Sequence, residues 1–292
     1  FALCGHNVSF EELGRNYEWM TVRGINLMCQ HLMGYSTRGL RKRDYPPAMY
    51  YQQPWWKDYP AFIDTYSRIG MLLAEGRIRF DTLVLHTQTS AWICYNDRDN
   101  KDLGTYNEAL LDVIDTLERK HIPFHLGDEI LMSRHARVEG KELVIGEQRY
   151  RNVILPPHIA FFPETEALLA AFRQNGGNIT TAEELEANDV TDNPELTYTV
   201  REFDGFTLHY FVNSTDRAQT AHMPHGGKRL DPATGEVTPF DGDHVFPPMS
   251  SLLLIDDGTP QCAHTEAPAR KPVLLDGAFT VAGELRNALT LD

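Results

Sequence analysis

The spacing of apolar residues changes along the chain, and each change marks a different kind of element. Ile25, Leu27, Met28 and Cys29 are apolar or small and read as a buried strand. The chain then leaves through Gln30, His31, Tyr35 and Ser36 into a long loop. Residues 80–86 (FDTLVLH) read as a buried parallel strand, and 122–127 (IPFHLG) and 153–156 (VILP) as two more. Between the first two, residues 107–121 carry Leu110, Leu111, Ile114 and Leu117 at helical spacing. Residues 142–146 and 149–150 look like a hairpin edge, and 164–174 like a helix ending at a Gly176-Gly177 cap. Strands alternating with helices predict an open, mostly parallel sheet covered on both faces, over residues 79–188.

Beyond that region the period becomes two. Residues 196–203 (LTYTVREF), 206–213 (FTLHYFVN) and 251–255 (SLLLI) are strand patterns separated by Asp-Gly and Asn-Ser turns, and DPATGEV reads as a turn between two more strands. A small antiparallel sheet or sandwich is expected over residues 189–258. It carries no evident chemistry.

The loop after residue 30 holds the candidate chemistry. It contains Arg41, Lys42, Arg43, Asp44, Pro46 and Pro47, then Tyr50, Tyr51, Gln52, Gln53, Pro54, Trp55 and Trp56. Flat aromatic faces stack on the C–H faces of sugar rings, while amide, imidazole and carboxylate groups bind hydroxyls. The competing reading is an aromatic packing loop, since Tyr and Trp bury large areas.

That segment carries a resemblance. HNVSFEELGRNYEWMTVRGINLMCQHLMGYSTRGLRKRDYPPAMYYQQPWWKDY resembles the last βα units of a glycoside hydrolase barrel, in the large bacterial group of family-2-like or sugar-binding-domain glycosidases with relatives among the rhamnosidases. The resemblance implies a helix over 10–23, the eighth barrel strand at 25–29, and a helix over 59–76 bearing Arg68, Leu72, Leu73 and Gly76. It also implies a sugar site lined by His31, Tyr35 and the residues around Gln52, Trp55 and Trp56, to which the loop itself adds Tyr51 and Asp44, an acid that either binds a sugar hydroxyl or pairs with Arg41 or Arg43. Residues 1–78 would then be the end of a TIM-type barrel whose other units precede Phe1. Residues 259–292, ending in NALTLD, would be a linker and the first strand of a further β-sandwich. The chain is therefore expected to be an internal piece of a longer, multidomain bacterial enzyme, cytoplasmic or secreted.

Residues 79–188 resemble, in fold and order, the flavodoxin-like class 1 glutamine amidotransferase-like domain that follows the barrel in several glycosidase families. Glutaminase chemistry needs a Cys on a strand-to-helix elbow. Here NVILP is followed by Pro157-His158, and Cys94 lies after the first strand, so no such chemistry is expected. Loop 87–99, with Trp92 and Tyr95, is expected at the ligand-binding edge of the sheet. Glutamine hydrolysis abolished by Cys94→Ala would revive the amidotransferase reading.

Composition narrows the partners. The 292 residues are 42% hydrophobic with a net charge of −14, which supports a sizeable core and disfavours nucleic acid and anionic membrane surfaces. No apolar run approaches the ~20 residues that cross a bilayer. The four cysteines lack CxxC spacing and read as free thiols. No nucleotide motif is present, so no cofactor is expected. No metal is expected either: Pro123 breaks the His121/His125 pair, and His222 and His225 lack a third ligand. Glycoside hydrolysis usually requires two carboxylates, yet Glu11, Glu12 and Glu18 are expected on the solvent face of a helix. The first reading is thus part of a glycoside hydrolase acting on poly- or oligosaccharide, not catalytic by itself, with a homo-oligomer or the parent chain as protein partner. The alternative is a complete non-catalytic carbohydrate-binding or assembly module.

Overall fold

The computed structural model describes residues 7–30, 36, 38, 39 and 50–263. Two helices come first, α1 (Phe10–Thr21) and α2 (Tyr59–Ala74). Ser9 caps α1: its hydroxyl accepts from the Glu12 amide at 3.1 Å, and the Ser9 amide donates to the Glu12 carboxylate at 2.9 Å, a reciprocal capping box. Pro60 starts α2, where its missing N–H costs nothing. The helices approach closely at Gly14, where any Cβ would overlap the Tyr66 hydroxyl.

The parallel sheet follows. Its elements in chain order are β1 (Thr82–Leu85), α3 (Gln88–Cys94), α4 (Lys101–Arg119), β2 (Phe124–Gly127), α5 (Glu129–His135), β3 (Ala136–Glu139), β4 (Glu142–Ile145), β5 (Gln148–Tyr150), β6 (Asn152–Ile154), α6 (Pro163–Gln174) and β7 (Asn178–Thr180). Strand order is β2-β1-β6-β7, all parallel, while β3, β4 and β5 form a separate antiparallel sheet in the β2-to-β6 crossover. The run TLVL is wholly buried because both faces are covered. Leu83 and Leu85 point into a core with Met132, Val153, Leu169 and Phe172. Val84 points the other way, into Leu110, Leu117 and Ile154.

The β unit comprises β8 (Thr197–Phe203), β9 (Phe206–Asn213), β10 (Gln219–His222), β11 (Lys228–Leu230), β12 (Val237–Pro239), β13 (Asp243–Phe246) and β14 (Ser250–Asp256). A five-stranded antiparallel sheet, β12-β11-β14-β9-β8, has two buried faces. Phe211, Leu252 and Leu254 pack toward Phe240 and Phe246 beside the β10-β13 pair. Leu208, Tyr210, Val212 and Leu253 pack toward Val22, Ile69 and Leu73, so α1 and α2 share a core with this sheet.

Three sequence expectations need correction. Residues 25–29 form no strand; Ile25 is 48% and Leu27 84% exposed. A parallel strand needs neighbours on its edges, and among the described residues none flanks this segment. Loop 87–99 is in part helical, as α3, pinned where the Ile159 amide donates to Ser90 Oγ at 2.8 Å. Glu18 is buried at 7% exposure and does not face solvent. Residues 264–292, read as the start of a further sandwich, lie outside the described residues, as do His31, Tyr35 and Asp44.

Candidate functional site

The turns of residues 50–58 carry the aromatic cluster onto the start of α2. Gln53 N donates to Tyr50 O at 2.9 Å and Asp58 N to Trp55 O at 2.9 Å, which folds the segment tightly enough to bring its rings together. Trp55 turns inward. Its indole N–H donates to Val8 O at 3.1 Å, and its ring lies 5.0 Å from Phe10 and 5.7 Å from Tyr59, within the core of α1 and α2. Trp56 stacks on Tyr59 at 5.2 Å with an interplanar angle of 18°, and meets Tyr50 edge-on at 5.4 Å. Tyr51 meets Tyr50 at 4.9 Å and is 60% exposed. Trp55 therefore anchors the cluster, Trp56 is half-buried against Tyr59, and Tyr50 and Tyr51 form the exposed side.

Amides lie beside these rings. The Tyr59 hydroxyl donates to Gln30 Oε1, which leaves Gln30 Nε2 buried with no partner among the described residues. Gln53 is buried, and its Nε2 is equally unpartnered there. Burial raises the Tyr59 phenol above its ordinary range, partly offset by its bond to Gln30, so it remains a neutral donor. Gln52 is half-buried in the same turn. Two unsatisfied amide donors beside aromatic faces can bind a neutral, hydroxyl-rich ring and can do no acid–base chemistry. Gln30, Tyr50, Gln53 and Tyr59 thus lie in one cluster with Tyr51, Gln52 and Trp56. For Tyr59 the sequence signal was its spacing one turn after Trp55 and Trp56.

No acid pair accompanies this surface among the described residues. Glu11 and Glu12 are exposed, the latter in the α1 cap. Glu18 is enclosed between α1, α2 and β14: Oε1 accepts from the Ser251 hydroxyl at 2.7 Å and from Tyr66 at 3.4 Å. Burial raises its carboxyl to about 7 against the pull of those two hydrogen bonds. It titrates as a packed interface group, out of reach of a substrate.

The carboxyl edge of the parallel sheet is filled. Glu129 is fully buried and accepts from the Phe162 amide at 2.6 Å and from the Thr89 hydroxyl. Trp92 and Tyr95 are 57% and 64% exposed on its outer side. Cys94 ends α3 as a free thiol. No group of three or more metal-ligating side chains occurs among the described residues, and no described helix is long and apolar enough to cross a membrane.

No family model matches the chain, and no curated protein does. Solved structures do. Gan42B, a GH42 beta-galactosidase, is similar with a TM-score of 0.59 at 10% identity, over 85% of this chain and 51% of that one. A catalytic mutant of Gan42B from G. stearothermophilus gives 0.57 at 11% identity, over 83% and 50%. The apo exo-carrageenase GH42 from Bacteroides ovatus gives 0.56 at 12% identity, over 86% and 39%. The chain spans about half the length of the first two. At such identities the likeness speaks for architecture alone: this chain shares the fold of the matched parts of those structures, a mixed α/β arrangement of one parallel and several antiparallel sheets.

Proposed function

We propose that the chain is part of a glycoside hydrolase acting on poly- or oligosaccharide, and that it binds sugar without hydrolysing it alone. The observation that carries this reading is the cluster of half-buried Trp56 with exposed Tyr50 and Tyr51, together with the unpartnered amides of Gln30, held by Tyr59, and of Gln53 in the same turns. Sugar C–H faces would stack on Trp56, and hydroxyls would satisfy the two amides. In this reading His31, Tyr35, Asp44 and Gln52 supply further hydroxyl contacts. The exposed Ile25 and Leu27 support a missing neighbour, because an apolar stretch of this kind gains by burial against further barrel strands. The parallel-sheet unit, amidotransferase-like without its nucleophile, serves as a wall or scaffold. The catalytic carboxylates would stand on other strands of the parent enzyme.

Calorimetric titration with galacto-, gluco- and rhamno-oligosaccharides tests this. Trp56→Ala and Gln53→Ala are each expected to weaken the best ligand about tenfold, near 1.4 kcal/mol, with the fold intact by circular dichroism. Binding unchanged in both variants would remove the surface from the account. Turnover of any of these sugars by the purified 292-residue chain would contradict the claim that it is not catalytic by itself.

A further inference from the structure

A cavity of about 750 Å³ lies between the 76–81 linker, the β4-β5 hairpin and edge strand β8, and five arginines line it: Arg77, Arg79, Arg149, Arg151 and Arg201. It shares no residue with the aromatic surface. In a chain of net charge −14, so many guanidinium groups around one hollow call for a cause.

Most of them are already compensated. Arg149 and Arg151 hold Glu142 at 3.1 and 3.4 Å, and Arg79 holds Glu202 at 3.2 Å. Arg201 is not. It is only 8% exposed, and its Nε is buried with no hydrogen-bond partner among the described residues. The other acids of the lining, Asp81 and Glu147, form no ion pair with it; burial alone acts on its guanidinium, pulling its pKa down. Arg77 likewise has no acid partner there. Its position is set by the chain: Gly76 adopts φ +70°, where a Cβ would come within 2.9 Å of Glu202 O, and Arg77 then pairs through its backbone with Glu202 of β8. Sequence and register thus bring two uncompensated guanidinium groups to one cavity.

A buried, unpaired guanidinium is strongly unfavourable, and replacing such a charge with an apolar side chain of similar shape is commonly neutral or stabilising. Its fork of N–H donors matches a planar or tetrahedral oxyanion. We propose that this cleft is an oxyanion-binding site, in which Arg201 and Arg77 take the carboxylate, sulfate or phosphate group of a small ligand. The site is independent of the sugar reading, since its residues and its chemistry are different.

Titration calorimetry of the full chain at low ionic strength, with sodium chloride of matched ionic strength as control, tests it. The probes are inorganic sulfate, inorganic phosphate and glucuronate, and their ranking identifies which oxyanion the cleft takes. Wild type is expected to bind at least one of them saturably, one per chain. Arg201→Met should weaken that binding tenfold or more while leaving the unliganded melting temperature equal or higher. Arg77→Gln, a change at an exposed position, should weaken it several-fold with no loss of stability. The proposal is overturned if wild type binds none of the probes above the chloride control. It is equally overturned if Arg77→Gln binds as wild type while Arg201→Met melts lower, which would make Arg201 a packing residue.

Discussion

Glu18→Gln should stabilise the protein by about 2–3 kcal/mol at pH 8 and by little at pH 5, as read from urea unfolding at the two pH values. The folded carboxyl titrates near 7 against 4.5 for the free acid. Between those values the folded chain holds a proton that the unfolded chain has released. Stability from this group is therefore complete below about pH 4.5 and is lost as pH rises through 7. Glutamine keeps the acceptor for Ser251, which donates at 2.7 Å, and removes the charge. Two histidines act oppositely: burial lowers His209 and His244 to about 4, so each costs stability as pH falls from 6.5 toward 4. In wild type these trends oppose each other. The substitution should unmask the histidine trend, leaving a stability curve that rises with pH through this range and then levels. Parallel curves for wild type and variant would show that Glu18 is not protonated in the folded state.

Phe172→Ala should cost about 3–5 kcal/mol and lower the melting temperature by roughly 10 °C. Phe172 is fully buried on α6 among Leu83, Leu85, Met132 and Leu169. Its ring covers Gly177, where any Cβ would overlap it. The interior beneath it is enclosed by β1 and β6, which cannot collapse without losing register. A loss below about 1 kcal/mol in a denaturant melt would mean that this face of the parallel sheet is loosely packed.

What the sequence revealed follows from how strongly each segment is constrained. TLVL and the Val153-Ile154 pair of β6 are buried, so short apolar runs identify them. α4 shows its 3.6-residue stripe because its other face is wet. The β8-β9 hairpin declares itself through Asp204-Gly205, with Gly205 at φ +89°. By contrast β7, β10 and β13 are only three or four residues long and largely polar or exposed, and they are strands only because a neighbour supplies the ladder. Glu18 was misread by residue type, although positions 10, 13, 14, 17, 18 and 21 make one helical stripe and place it on the packed side. Residues 25–29 were misread by composition, since apolar character alone supplies no edge partners. In the candidate site the aromatic content was visible, but the inward turn of Trp55 and the stacking of Trp56 on Tyr59 depend on the turns of residues 50–58. Arg201 gave no signal, because an arginine in a strand is ordinarily solvated.

The most direct test of the sugar-binding claim is a ¹⁵N–¹H spectrum of the indole groups during titration with an oligosaccharide. The chain has four tryptophans, and each contributes one indole N–H signal. Trp19 and Trp92 are exposed and make no ring contact with the described residues of the cluster, and Trp55 is tied to Val8 O. The account requires the Trp56 signal to move saturably, with Trp19 and Trp92 unmoved. A spectrum in which Trp56 stays fixed at saturating sugar, or in which Trp92 alone responds, would contradict it.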